Sequence, residues 1–265
     1  MALRLNFGSA TVLAHSAENT MGPASFSSAE RYDRQLRILG EEGQEKLRST
    51  TVAVVGLGGL GSIITYYLAA AGVGRLVVID DGLVELSNLN RQILYTTSDI
   101  GLPKAYIAAA RLKALNPEVD VVPHQARLTE KNANSLLSGA DILVDALDNW
   151  ETRHILNRYA VNSGKPLIHG AVQGFYAQVT TVIPGKGPCL ACFLPKPPKP
   201  RGVIPIIGAV VGIVASFQAS EAVKLVTGLG EPLVGRLLVI DAYRGTTDTV
   251  EIKRNHNCPV CGGGP

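Results

Sequence analysis

The sequence predicts an α/β protein: a doubly wound, mostly parallel Rossmann-like sheet extended by antiparallel strands. Three observations carry this. From Thr51 to His169, short apolar runs alternate with helical patterns, the order that builds a parallel sheet. A glycine-rich turn, Gly56-Leu57-Gly58-Gly59-Leu60-Gly61, joins the first run to a helix. Beyond Ala177 the alternation changes, and the remaining runs read as antiparallel strands around one long apolar helix.

The 265 residues, 46% of them apolar, suffice for one large core. The formal net charge of +3, with both signs mixed along the chain, gives no footprint for nucleic acid. The most apolar run, Val203 to Phe217, is interrupted by Pro205, Gly208 and Gly212 and is shorter than the roughly 20 residues that span a bilayer. Residues 1–28 lack the pattern of a signal peptide and read as a disordered extension, leaving 29–265 as a single domain. The expectation is a cytoplasmic protein that engages neither nucleic acid nor membrane.

Taken in order, Ser28 to Leu47 reads as a helix interrupted at Gly40, with Arg31, Arg34 and Arg37 on one face. Val52 to Val55 is a buried strand, Ser62 to Ala71 a helix ending at Gly72, and Leu76 to Ile79 a second buried strand. Gly82 to Tyr95 is too polar for a core strand and reads as a loop or short helix. Gly101-Leu102-Pro103 opens a helix that runs to Asn116. Strands follow at Val119–Val122, Ile142–Ala146 and from Pro166 to His169, with helices at Glu130–Leu137 and Trp150–Ser163 between them. Ala177 to Ile183 alternates as an antiparallel strand, Pro184 to Gly202 is a loop, Ile207 to Thr227 is a buried helix, and Leu237–Asp241 and Thr249–Lys253 are the last strands.

The glycine turn sits where a phosphate-binding turn belongs. Gly56 permits the tight turn, Gly58 lets backbone N–H groups approach a phosphate, and Gly61 lets the helix pack close to the strand. The helix N-terminus adds unpaired donors and partial positive charge. Asp80 closes the second strand about 20 residues further on, placed to accept from a ribose. These features indicate a nucleotide, and a dinucleotide oxidoreductase would use the same turn.

Three further stretches narrow the choice: Arg31-Tyr32-Asp33-Arg34-Gln35, Asp80-Asp81-Gly82-Leu83-Val84-Glu85-Leu86-Ser87-Asn88-Leu89-Asn90-Arg91-Gln92, and Gly101-Leu102-Pro103-Lys104. With the glycine turn and the cysteine pairs described below, they resemble the ThiF/MoeB/HesA family, relatives of the ubiquitin-activating enzymes, from about Glu30 to Cys261. The resemblance implies an enzyme that binds ATP and adenylates the C-terminal glycine of a small ubiquitin-like sulfur-carrier protein with a Gly-Gly tail, releasing pyrophosphate. It implies that Gly58 and Gly59 hold the α-phosphate region and Asp80 the ribose. Asn88, Arg91 and Gln92 would line the triphosphate pocket, Lys104 would reach the phosphates, and Asp148 would coordinate Mg²⁺. Arg34 would act from the other subunit of a homodimer.

Elementary chemistry agrees with this assignment. A carboxylate is already ionised at neutral pH, so its attack on phosphorus needs no general base. It needs charge neutralisation instead, and Arg34, Arg91, Lys104, the helix N-terminus and Mg²⁺ would supply it. Asp148 could equally cap the helix that begins at Trp150, and His169 reads as a satisfied core histidine.

The four cysteines form two C-x-x-C pairs, Cys189/Cys192 and Cys258/Cys261, with none left over. In a chain without a secretory signal this pattern reads as a closed, structural zinc site with four thiolate ligands; paired disulfides or an iron–sulfur cluster are the alternatives. Every thiol is then used, so the reaction is expected to stop at the acyl-adenylate, with a separate sulfur donor acting afterwards. Some members of the family carry a further cysteine after the first pair, whereas Phe193 to Ala209 holds none here, and that departure from the resemblance favours the molybdopterin-synthase type of pathway over the thiazole type. The basic segment Pro195 to Arg201 would guide an acidic partner. Two other readings stand beside this one: a non-catalytic subunit that binds a ubiquitin-like protein, and an NAD-dependent oxidoreductase.

Overall fold

The computed structural model describes residues 28–195 and 204–262. The expectations for the N-terminal extension, for the basic segment beyond Pro195 and for the terminal glycine run lie outside the described residues. One eight-stranded sheet organises the chain, in the order β3-β2-β1-β4-β5-β6-β7-β8. Its strands are β1 (Thr51–Val55), β2 (Arg75–Ile79), β3 (Asp120–His124), β4 (Ile142–Asp145), β5 (Leu167–Gln173), β6 (Tyr176–Val182), β7 (Arg236–Asp241) and β8 (Thr246–Glu251). The first five pair in parallel; β6, β7 and β8 add antiparallel to β5.

The helices are α1 (Ser28–Ser49), α2 (Gly59–Ala71), α3 (Lys104–Leu115), α4 (Ala133–Leu137), α5 (Trp150–Ser163), α6 (Leu190–Phe193) and α7 (Gly208–Thr227). Successive residues of β1 feed opposite faces, as a strand requires. Val52 and Val54 pack with α2, α3 and α7 on one side. Ala53 and Val55 pack with Leu137, Leu156 and the cysteines on the other. Among the described residues α7 is the one helix long and apolar enough to cross a membrane, and it packs instead against α2, β5 and β6.

The site is positioned by register. Val55 stands opposite Ile79 of β2 and Asp145 of β4, so the turns that leave these three strands emerge at one edge. The chain winds outward from β1 to β3, then returns to place β4 on the other side of β1. Ligands bind at such a reversal of strand order.

Several boundaries differ from expectation: α2 begins at Gly59 rather than Ser62, and β3 runs on to His124 rather than stopping at Val122. Glu130 to Asn132 form a turn in which Thr129 N–H donates to Asn132 Oδ1 at 2.7 Å, so α4 begins only at Ala133. The loop after Ile183 contains α6. The β7–β8 hairpin pairs Asp241 with Thr246, which starts β8 three residues before the expected Thr249. The kink in α1 falls at Gly40, whose φ of 67° is left-handed.

Candidate active site

A cavity of about 900 Å³ opens at the strand edge just described. The glycine turn lies at its base. Gly56 has φ 94°, and a Cβ there would lie 2.6 Å from the Ala146 carbonyl oxygen. A Cβ on Gly61 would stand 1.9 Å from the Gly56 carbonyl oxygen, so α2 can approach the turn only with glycine at that position. Gly58 differs, since a Cβ there would meet only Gln92, at 3.7 Å. Gly56, Gly58 and Gly59 line the cavity, and Gly61 supports them from behind.

Asp80 also lines the cavity, and it braces the turn: Oδ2 accepts from Leu57 N–H and Oδ1 from Gly82 N–H, both at 2.7 Å. Each oxygen keeps a lone pair for a ligand. Arg91 and Gln92 reach the cavity from the turn after β2. Gln92 is buried, and its Oε1 has no hydrogen-bond partner among the described residues, which suits a donor brought by a ligand. Asn88 does not line the cavity. Its Oδ1 accepts from Glu85 N–H, and its backbone carbonyl accepts from the N–H groups of Arg91 and Gln92. Asn88 thus shapes the turn that presents its two neighbours to the cavity.

Lys104 is the first residue of α3, where a positive side chain opposes the helix dipole. Its ammonium makes no hydrogen bond or ion pair among the described residues and borders the cavity beside Gly82. Asp148 is exposed at the cavity wall. It is not the helix cap. Asn149 takes that role, its Oδ1 accepting from Thr152 N–H at 2.9 Å. Asp148 is left with one weak contact, from Asn149 Nδ2 at 3.4 Å, and can serve a hard cation. Arg34 is exposed on α1 and lies away from the cavity within this chain.

Behind the cavity lies a network that sequence reasoning left out. Arg153, 4% exposed, donates from Nε to Asp145 Oδ2 at 2.7 Å and from Nη2 to the carbonyls of Leu147 and Gly170. Its guanidinium lies 4.5 Å from the centre of the Trp150 ring. His169 Nδ1 meets the same Asp145 oxygen at 2.7 Å, and its Nε2 lies 3.1 Å from Gln178 Nε2. Burial pushes the Asp145 carboxyl up, but the Arg153 charge and the His169 hydrogen bond outweigh it and hold the pKa below the usual range. Burial pushes His169 down, so the imidazole is neutral, with Nδ1–H donating to Asp145 and Nε2 accepting from Gln178. His169 is thus the satisfied core histidine expected. Arg153 fixes the Asp145–Leu147 backbone that leads to Asp148, and it borders the cavity itself. Its position one turn into a helix that starts beside an acidic strand end was the available signal.

The four cysteine sulfurs lie within 4.8 Å of one another. Two contacts join the different motifs: Cys189 to Cys258 at 3.7 Å and Cys192 to Cys261 at 3.3 Å. Tetrahedral Zn–S bonds of about 2.3 Å would put sulfurs roughly 3.8 Å apart, whereas a disulfide needs about 2.05 Å. The four cysteines are therefore placed to bind one metal ion, and the paired-disulfide alternative does not hold. Burial pushes the Cys189 and Cys192 thiols up.

The family model described as "ThiF family" matches residues 32–260. The chain is 46% identical over 249 residues to the sulfur carrier protein adenylyltransferase of Thermus thermophilus, covering 89% of this chain and 92% of that protein. It is also 46% identical over 243 residues to the SAMP-activating enzyme E1 of Haloferax volcanii, covering 89% of each. Among solved structures, E. coli MccB with ATP superposes with a TM-score of 0.79 at 24% identity, over 88% of this chain and 74% of that one. At that identity the likeness concerns the fold alone.

Proposed function

The chain belongs to the ThiF family, and from that premise we propose that it is an ATP-dependent adenylyltransferase acting on the C-terminal glycine of a small ubiquitin-like sulfur-carrier protein. One observation carries the reading. The glycine turn, Arg91, Lys104 and Asp148 converge on a cavity that continues along β5 and β6 to Gln173, Tyr176 and Gln178. Nucleotide and peptide tail can lie end to end in that space.

The tail carboxylate attacks the α-phosphorus of ATP. A C–O–P bond forms, the bond to the pyrophosphate leaving group breaks, and an acyl-adenylate remains. The turn N–H groups at the start of α2 donate to the α-phosphate. Arg91 and Lys104 offset the charge that accumulates as two anions meet. Asp148 would hold Mg²⁺, which when bound would neutralise phosphate charge. Enclosing the tail beside the phosphate provides orientation. An oxidoreductase would have no use for Lys104 at a helix start or for the free carboxylate of Asp148.

The metal at the four cysteines is zinc, closed by four protein ligands and therefore structural. The active form is a homodimer, in which Arg34 of one subunit completes the site of the other. The exposed Tyr67, Ile213 and Phe217 on the neighbouring helices α2 and α7 suit such an interface. A separate sulfur donor consumes the acyl-adenylate.

The test is ATP–pyrophosphate exchange with each candidate Gly-Gly carrier. Exchange that disappears when the carrier's last glycine is deleted supports the reading. ATP binding without exchange on any carrier points to another carboxylate acceptor, and failure to bind ATP overturns the enzyme reading. Mixing Arg34→Ala with Lys104→Ala chains tests the shared site. If Arg34 acts across the dimer, mixed dimers regain one intact site and activity returns.

A further inference from the structure

Helix α5 runs from the cavity toward the four cysteines. Asn149, Trp150 and Arg153 stand at its cavity end. One turn beyond Arg153, Asn157 is fully buried on the same side of the helix. Its Oδ1 accepts from the backbone N–H of Leu190 at 3.0 Å, the residue that follows Cys189. Its Nδ2 has no hydrogen-bond partner among the described residues, and the side chain is close enough to the Cys189 thiol to act on it.

A buried amide donor without an acceptor is costly, and native proteins rarely keep one. A neutral thiol is a weak acceptor, whereas a metal-bound thiolate is a strong one. Groups beyond the ligands that hydrogen-bond them orient the ligands and tune metal affinity. The position of Asn157 matches that task at both ends of its amide: Oδ1 holds the backbone next to the ligand, and Nδ2 is reserved for the ligand's charge.

We infer that Asn157 is a positioning residue for the metal centre, its Nδ2–H donating to the Cys189 thiolate while Oδ1 holds Leu190. This rests on the proposed metal at the four cysteines. It makes α5 a strut with a hydrogen-bonded anchor at each end: Arg153 at the nucleotide cavity and Asn157 at the metal.

The test uses the full chain, reconstituted with zinc, with cobalt and with cadmium-113. Loss of zinc to a chelator is timed for wild type, Asn157→Leu and Asn157→Asp. Asn157→Asp keeps an acceptor for Leu190 and loses the donor. Both variants should release zinc about 10–100-fold faster. In the cobalt form, removing the N–H···S bond should shift the thiolate-to-metal charge-transfer band to lower energy, which loss of a purely structural brace would not do. In cadmium-113-loaded wild type, the Asn157 side-chain amide proton should couple to the metal through the hydrogen bond, a readout that needs no variant. Release within twofold of wild type, an unmoved band and no coupling, in a chain that holds one metal, overturn this inference alone. A wild-type chain that takes up no metal overturns the metal reading and this inference together.

Discussion

The two halves of the sheet are stabilised differently. In the parallel half, β1, β2 and β4 are buried at almost every residue, covered by helices on both faces. In the antiparallel half, β7 alternates between buried and half-buried positions, and all six residues of β8 are exposed. The first half holds itself together by apolar burial, so Lys104 and Asp148 make no ion pair among the described residues, and Arg91 is held by Ser87 and Asn90 of its own turn. The second half has a single covered face, and the cysteine cluster ties its C-terminal end to α5. The glycine-turn end of the cavity thus sits on the self-sufficient half, while the antiparallel half keeps an uncovered face.

The comparison can be broken most severely at Arg153. Arg153→Ala leaves the Asp145 charge buried and uncompensated, and should cost about 3–5 kcal/mol of stability in denaturant unfolding. A loss below about 1 kcal/mol would mean that water or another cation reaches Asp145. Lys104→Ala and Arg91→Ala should act oppositely. Pyrophosphate exchange should fall about a hundredfold, roughly 3 kcal/mol of transition-state stabilisation, with the melting temperature little changed. Near-normal exchange in either variant would sink its assigned role.

Metal removal probes the other half. A strong chelator should speed amide exchange around Cys189, Cys258 and β6–β8 while β1, β2 and β4 stay protected. Equal loosening of both halves would refute the division. Asn149→Ala should cost about 1 kcal/mol by uncapping α5, and Asp148→Ala much less, because Asp148 makes no cap bond. The smallest effect concerns pH. His169 and His154 have pKa values lowered by burial, so the folded chain binds fewer protons than the unfolded one. Their contribution is complete above the unfolded histidine pKa of about 6.5 and shrinks as pH falls below it. The melting temperature should therefore decline from about pH 7 toward about pH 5, and more steeply once pH passes into the carboxylate range, where Asp145 loses its lowered-pKa contribution. A flat profile across that window would contradict the buried-neutral assignment of the histidines.

Local patterns were legible wherever the chemistry is local. The glycine turn and the helix from Trp150 to Ser163 follow from spacing and composition, and the structure has them where expected; the antiparallel extension is present too, with β8 begun three residues early. Legibility failed where neighbours compete. Asp148 and Asn149 are both good caps, and only the backbone angles at the start of α5 decide between them. Asn88 and Arg91 share a polar stretch, but one turns inward to hold the loop and the other faces the cavity. The Asp145–Arg153–His169 network joins a strand end, a helix and the next strand. No periodicity announces a contact of that kind.

The sequence by itself determined the fold class, the nucleotide turn and the paired metal-binding motifs, because each is written in contiguous residues whose spacing matches a backbone period. Tertiary structure alone decided that the two cysteine motifs meet in one cluster, that Arg34 lies outside the cavity of its own chain, and that Asn157 holds the segment beside Cys189. Those facts depend on strand order and register, which set distances between residues far apart in the chain, and register is settled once a strand has a face to bury.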